Sequence, residues 1–274
     1  MPARVSLAGA RSDRAARVRG PTEGICVARR PRYADTMRAG PFDCVAHPPA
    51  LGALGTTLVP VWRNELGGLT FRGRIGAESI FVKWAPIGVG LDLAAERDRM
   101  LWAIAYTPVP VVLDYQETPD GEFMVTRAIA AANAVSARWI ADPSGAVRAL
   151  AIGLRHWHDA LPVANCPFDW SPSTRIEGRS GVAGLASSPS VDRLVVAHGD
   201  PCAPNTLLSD DGIAVAHVDL ERLGLADRWA DIAVAARNTA LNYGAGWERL
   251  FLEAYGVEPD PGRQQYYLEL WDQT

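Results

Sequence analysis

Asp200, Asn205 and Asp219 are three oxygen-bearing side chains carried by one segment of alternating apolar and polar stretches. That segment runs from Val195-Val196-Ala197 through His198-Gly199-Asp200 and Asn205-Thr206-Leu207-Leu208. It turns at Ser209-Asp210-Asp211-Gly212 and returns as Ile213 to Leu220. β-branched runs around a polar loop and a Gly-containing turn predict strand, loop, short strand, turn, strand, so all three side chains fall at strand ends or in loops. A carboxylate, a carboxamide and a second carboxylate aimed at one point suit a metal–phosphate site. Mg²⁺ takes hard oxygen ligands and needs few from the protein where phosphates supply others. Phosphoryl transfer also needs a carboxylate to take the proton of the attacking hydroxyl. Asp200, with Asn205 five residues on, has the spacing for a base followed by a metal ligand, and Asp219 stands where the second metal-binding Asp belongs. A rival reading makes His198-x-Asp200 and His217-x-Asp219 the ligands of a metal-dependent hydrolase.

The run His198 to Asn205, then Val218-Asp219-Leu220 and Ala226-Asp227-Arg228-Trp229-Ala230-Asp231-Ile232-Ala233, resembles the aminoglycoside 3'-phosphotransferases and their actinobacterial relatives. The likeness extends over residues 56–274. It takes in Trp62 to Phe71, Asn165 to Asp169, where relatives often carry an acid at the Asn165 position, and Asn242-Tyr243-Gly244. It implies an α+β, bilobal protein-kinase-like fold. Residues 56–127 would form a small nucleotide-binding lobe of antiparallel sheet and one helix, and residues 128–274 a mainly helical lobe for catalysis and substrate binding. ATP and Mg²⁺ are the implied cofactors. The implied partner is a small molecule with a hydroxyl to phosphorylate, nearest the 3'-hydroxyl of an aminoglycoside, with another amino alcohol or a sugar as the alternative. Arg222 matches the family's arginine beside the metal-binding Asp, and Asp231 is expected to cap or brace the catalytic loop.

The elements that must position this chemistry lie upstream. Leu58 to Arg63, Leu69 to Ile75 and Ser79 to Trp84 read as strands, with Gly67-Gly68 at a hairpin tip where backbone N–H groups can approach phosphates. An ordinary hairpin turn is the plain alternative. Lys83 is the one lysine among 27 basic residues, a position that resists an otherwise complete preference for arginine. A compact ammonium reaches between phosphates where a planar guanidinium does not fit, and Lys83 matches the third-strand lysine of kinases. Asp92 to Ala105 has helical spacing, with Asp92 as its N-cap. Among its acids the resemblance favours Glu96 over Asp92 and Asp98 as the partner of Lys83. Arg127-Ala128-Ile129 falls where kinase-like folds pass between lobes, and the Ala128 backbone is the expected contact for adenine.

Asp142-Pro143 opens a helix to about Leu161, with a capping acid and proline at the first position. His156 and His158 lack the i, i+4 spacing of a helical metal site and read as structural. Residues 165–190 read as a loop that helps bind substrate in the family. Asp227 to Leu241, Trp247 to Tyr255 and Pro261 to Trp271 read as helices whose Tyr and Trp side chains belong to the core. Three departures bear on the acceptor. Glu221 stands where the family has glycine, so it either faces solvent or perturbs metal affinity, and in the second case an impaired nucleotide-binding protein becomes an alternative. Leu241 and Asn242 occupy positions where the family's acids hold ammonium groups, and Ala203 a third. Asp169, Asp192, Glu269, Asp272 and the Thr274 carboxylate are the candidate substitutes.

Composition sets the frame. A chain of 274 residues with 48% hydrophobic content buries a sizeable core, and no apolar run reaches the roughly 20 residues of a membrane span. A cytoplasmic, monomeric or weakly dimeric protein is expected. Residues 1–36 carry eight arginines against three acids, without apolar periodicity, and read as a disordered extension with Met37 as the working start. That +5 segment leaves −9 on residues 37–274 out of a total of −4, which argues against nucleic acid as a partner. Cys26, Cys44, Cys166 and Cys202 have no metal-ligand or disulfide spacing and read as free thiols.

Overall fold

The computed structural model describes residues 47–64, 66–179, 182 and 184–274, so the expectations for residues 1–36 and for Met37 lie outside it. After a 3₁₀ turn at Pro49–Leu54, β1 (Val59–Arg63), β2 (Leu69–Ile75) and β3 (Glu78–Pro86) lead into α1 (Leu93–Ala103), followed by β4 (Val112–Thr118) and β5 (Gly121–Arg127). The five strands form one antiparallel sheet in the order β1-β2-β3-β5-β4. Two-residue alternation along β3 divides its side chains between two faces. Ile80 and Val82 join Phe71, Phe123 and Val125 in a small cluster on one face. Ala85 joins Met124 and the buried side of α1 on the other. Lys83, opposite Met124 in register, follows the parity of Ala85 and so faces α1.

The remainder is mainly helical. A two-residue strand β6 (Ala132–Asn133) and the single turn α2 (Ala137–Ile140) precede the 18-residue α3 (Pro143–Ala160). Asp142 caps α3 by accepting from Gly145 N, and the helix buries Val147, Leu150, Ala151, Leu154 and Trp157 as its periodicity predicts. The stretch expected as a continuous loop contains a short helix, α4 (Pro172–Ile176), started by Ser171 and Pro172. Then come β7 (Leu194–Ala197), β8 (Thr206–Leu208), β9 (Ala214–His217), β10 (Gly224–Asp227), α5 (Trp229–Tyr243), α6 (Glu248–Tyr255) and α7 (Pro261–Gln273). β7 pairs with β10, and β8 lies between β6 and β9. The predicted strand, loop, strand, turn, strand is therefore present, but β7 pairs with β10 rather than with β8 or β9. Among the described residues no helix is long and apolar enough to cross a membrane.

Four contacts tie the sheet and its helix to the helical part. Arg99 on α1 donates to Leu223 O at 2.9 Å, Leu220 N donates to Glu96 at 3.4 Å, Trp102 Nε1 donates to Asn165 O at 3.2 Å, and Lys83 reaches Asp219. Three of them converge on the segment that follows β9.

Candidate active site

Lys83 and Glu96 meet because β3 and α1 pack face to face. Lys83 Nζ lies 2.6 Å and 2.9 Å from the two Glu96 carboxylate oxygens. Glu96 is 2% exposed, while Asp92 is spent on capping α1 and Asp98 on an exposed contact with Arg97. The choice of Glu96 over its two rivals follows from those placements. Lys83 Nζ also lies 2.9 Å from Asp219 Oδ1. Burial alone would lower the Lys83 amine, but the carboxylates of Asp219 and Glu96 outweigh it and hold the amine above its ordinary value. The Lys83 charge in turn holds Asp219 below its ordinary value. Asp219 is the one described non-glycine residue with positive φ, at 67°. A carboxylate residue kept in that conformation costs on the order of 1 kcal/mol and persists only where its surroundings enforce it.

The Asp200 loop is held by bonds that do not involve its carboxylate. Asp200 N donates to His198 Nδ1 at 3.2 Å, and His198 Nε2 lies 3.1 Å from Val218 O, which assigns the proton to Nε2. Asn205 Nδ2 donates to Asp200 O at 3.1 Å, and Val218 N donates to Asn205 O at 2.9 Å. Gly199 has φ 82°, and a Cβ there would lie 2.2 Å from Arg222 O, so only glycine allows the two loops to touch. Behind them, Asp231 at the start of α5 accepts from His198 N at 2.6 Å, Gly199 N at 3.0 Å and His158 Nε2 at 2.9 Å. The expected brace is present, and His158 is part of it, backed by Tyr255 OH at 2.7 Å.

Asp200 Oδ1 is buried and has no hydrogen-bond partner among the described residues. Burial raises the Asp200 carboxyl above its ordinary value, opposed by the charge of Arg222 and a bond from the Cys202 thiol. A buried, unpaired carboxylate oxygen with raised basicity is equipped to receive a proton. The Asn205 carboxamide is oriented through its Nδ2, which leaves Oδ1 as an acceptor, and Asp219 has a second oxygen beyond the one facing Lys83. These are hard oxygen donors of the kind Mg²⁺ prefers, so the residues present fit that ion.

Several expectations need correction. The Gly67 and Gly68 amides are not offered to a ligand: Gly67 N donates to Asn64 O, and Gly68 N donates to Asn64 Oδ1 at 2.7 Å. A Cβ on Gly68 would lie 2.6 Å from the Leu91 side chain and 2.8 Å from the Asn64 carboxamide, so those side chains would have to shift. The Ala128 amide extends the sheet by donating to Ser79 O at 2.9 Å, leaving only its carbonyl for a ligand. His217 is no metal ligand. It packs on Trp157 at 5.0 Å between ring centroids, with Nδ1 3.2 Å from Thr206 Oγ1, and no group of three metal-binding side chains occurs among the described residues. Glu221 is half-buried rather than solvated. Burial, then the charge of Asp219, pushes its carboxyl up to about 7.

Sequence reasoning gave no role to Cys202, Asn238, Trp170, Arg175 or Trp271. Asn238 accepts from Ala203 N at 2.7 Å, a second brace from α5 signalled only by an asparagine on the buried face of an apolar helix. Arg222 lies 4.8 Å from the Trp271 ring and 5.7 Å from that of Trp170.

The buried histidines give a stability prediction. Burial lowers His198, and it lowers His217 to about 3 against an ordinary 6.5. Between those two values the unfolded chain binds more protons than the folded one, so stability is complete above pH 6.5 and falls toward pH 3. A loss on the order of a few kcal/mol is expected in urea titrations across that window. A His217→Asn chain should show a shallower pH dependence, and an unchanged slope would remove His217 as its source.

A sequence profile described as "Phosphotransferase enzyme family" matches residues 185–267. The chain is 31% identical over 262 residues to a streptomycin 3''-kinase of Streptomyces griseus, covering 81% of this chain and 94% of the relative. It is 32% identical over 222 residues to an aminoglycoside 3'-phosphotransferase of Streptomyces fradiae, covering 69% and 82%. Among solved structures, an aminoglycoside-3'-phosphotransferase of type VIII superimposes with a TM-score of 0.69 at 27% identity, covering 82% of this chain and 98% of that one. An aminoglycoside phosphotransferase from Streptomyces rimosus in complex with ADP and streptomycin superimposes with a TM-score of 0.61 at 26% identity, covering 79% and 92%.

Proposed function

This chain belongs to the aminoglycoside phosphotransferase family, with its bilobal kinase-like fold and its transfer to alcohol groups, and from that premise we propose that it moves the γ-phosphoryl group of ATP, with Mg²⁺, to a hydroxyl of a small molecule with Asp200 as the base. The observation that carries this reading is the unpaired, buried Asp200 Oδ1 beside the Lys83–Glu96–Asp219 cluster. Asp200 accepts the hydroxyl proton as the acceptor oxygen bonds to phosphorus and the bond from phosphorus to the bridging oxygen of ADP breaks. Lys83, aimed by Glu96, holds phosphate oxygens. Asn205 and Asp219 would hold Mg²⁺, which supplies neutralisation of phosphate charge. Arg222 keeps Asp200 ionised by its charge. Gly67 and Gly68 shape the hairpin over the phosphates, and the Ala128 carbonyl lies at the adenine end. Small-lobe and large-lobe roles divide near residue 127.

The relatives support an aminoglycoside hydroxyl as acceptor. A second reading, a sugar or amino-alcohol acceptor, is favoured by the state of the acids offered as substitutes. Asp169 caps the turn into α4, Asp192 is paired with Arg228, and Asp272 is held by both oxygens on Arg237.

Acceptor-dependent ADP release is the test, run with Mg²⁺-ATP on kanamycin-type aminoglycosides and on simple sugars. Phosphorylated product with either class supports phosphotransfer and identifies the acceptor. ATP binding without product from any acceptor would leave the impaired reading in its place. Lys83→Arg should reduce kcat/KM for ATP by about 10–100-fold, since the guanidinium cannot occupy the same point-charge position.

A further inference from the structure

Helix α1 carries Glu96 between two anchors that belong to different parts of the chain. Its first turn is held from the small sheet, where the Glu122 carboxylate on β5 accepts from Leu93 N at 2.8 Å. Its last turns are held from the large lobe. Arg99 Nε donates to Leu223 O at 2.9 Å, and Trp102 Nε1 donates to Asn165 O at 3.2 Å. Both side chains also meet one ring, that of Phe168. The Arg99 guanidinium lies 4.8 Å from its centroid, and the Trp102 indole meets it edge-on at 6.1 Å and 89°. A ring that takes a guanidinium and an indole from the same helix makes two directional contacts with that helix.

The loop that carries Phe168 is itself fixed to the large lobe. Phe168 O accepts from Leu225 N at 2.9 Å, and Trp170 N donates to Leu225 O at 3.0 Å, with Asp169 bridged to Leu225 between them. The Cys166 thiol donates to the same Phe168 carbonyl at 3.6 Å. A Cβ on Gly224 would lie 2.8 Å from Trp170 N, so this loop lies directly against the backbone of β10. On the other side of the contact, Arg99 Nη1 donates to Ala95 O at 3.1 Å, which ties the guanidinium to its own helix. Glu96, Arg99 and Trp102 follow one another at i, i+3 spacing along one flank of α1, so a shift of the last turns reaches the Glu96 carboxylate. That carboxylate has little slack: its oxygens lie 2.6 Å and 2.9 Å from Lys83 Nζ, and Leu220 N reaches it at 3.4 Å.

We propose that Phe168 is a positioning residue for the nucleotide half of the site: from the large lobe, through Arg99 and Trp102, it sets where α1 holds Glu96 and thereby where Lys83 meets phosphate. The loop that the sequence places on the acceptor side therefore also governs nucleotide affinity, although Phe168 acts only through α1. This inference rests on the phosphotransferase reading above, which gives Lys83 its phosphate.

Two measurements on the full chain test it, hydrogen exchange without nucleotide and calorimetric titration with Mg²⁺-ADP, each on wild type, Phe168→Ala and Phe168→Tyr. In Phe168→Ala the amides of residues 93–103 are expected to exchange about fivefold faster, while those of β1 and β2 keep their rates. Mg²⁺-ADP should bind about tenfold more weakly, the order expected for losing a desolvated cation–π contact. Phe168→Tyr, which keeps the ring, should restore both. Because the path runs through Glu96, adding Phe168→Ala to a Glu96→Gln chain should weaken nucleotide binding less than about twofold further, whereas a loss of packing alone would add in full. Trp102→Leu gives the same readouts if Phe168→Ala does not fold. Unchanged exchange in α1, a nucleotide affinity within about threefold of a wild type that binds, a tyrosine variant no better than alanine, or full additivity with Glu96→Gln would each overturn the proposal. Exchange in α1 that follows residue 168 in chains that bind no Mg²⁺-ADP, wild type included, would uphold the anchor and reject the phosphotransferase reading.

Discussion

Replacing Asp200 by alanine is expected to lower kcat for acceptor phosphorylation by about 10²–10⁴-fold, the range a positioned general base supplies. The prediction is specific because the carboxylate is not what holds its loop. The backbone of Asp200 is fixed on one side by His198 Nδ1 and on the other by Asn205 Nδ2, and Asp231 and Asn238 fix the neighbouring amides. Truncation removes a proton acceptor and leaves its surroundings in place. Affinity for Mg²⁺-ATP should therefore change only a few-fold, because Lys83, Glu96 and Asp219 are untouched. Steady-state kinetics at saturating acceptor, with nucleotide binding measured separately, checks both halves. Retention of a tenth or more of wild-type kcat would remove Asp200 from the role of base.

The largest effect on stability is expected from Asp231→Ala. Asp231 is completely buried and accepts from two successive amides and from His158. Burial by itself would raise its carboxyl, but the bonds from His158 and from the His198 amide hold it below the ordinary 3.8. Alanine leaves two buried N–H groups and an imidazole unpartnered, a loss of about 3–5 kcal/mol on the scale of breaking a buried polar pair. Urea unfolding should show that loss with an unchanged m-value, and Asp231→Asn should recover part of it by keeping one acceptor oxygen. Because the folded value is depressed, this contribution is present above pH 3.8 and disappears as pH falls through the lower folded value. A destabilisation below 1 kcal/mol would show that water replaces the carboxylate in the brace.

Much of the catalytic chemistry is legible in the sequence because it resides in side-chain types at short, fixed spacings. Asp200 and Asn205 share one loop, so their separation along the chain sets their relation in space. Lys83 is conspicuous by being the lone lysine, and the caps at Asp92 and Asp142 follow from local hydrogen bonding. Strands β1, β2 and β3 and the longer helices α1, α3, α5, α6 and α7 lie within a few residues of the sequence expectation because each satisfies a periodicity over its own length, whereas the short α2 and α4 do not.

What only the tertiary structure decided depends on residues far apart in the chain. Glu96 prevails over Asp92 and Asp98 because α1 turns that one carboxylate toward β3. The Gly67, Gly68 and Ala128 amides already have partners, since hairpin and sheet bonds form wherever an acceptor comes within reach. The most consequential case is the group of Trp170, Arg175, Arg222 and Trp271, gathered from a loop, a short helix, the segment after β9 and the last helix. The resemblance singles out Arg222, while the other three read in isolation as ordinary core or surface residues. Their stacking, each guanidinium against both indole rings, exists only in the folded chain. Sequence spacing therefore determined which groups can do the chemistry, and long-range packing decided how they are braced and oriented.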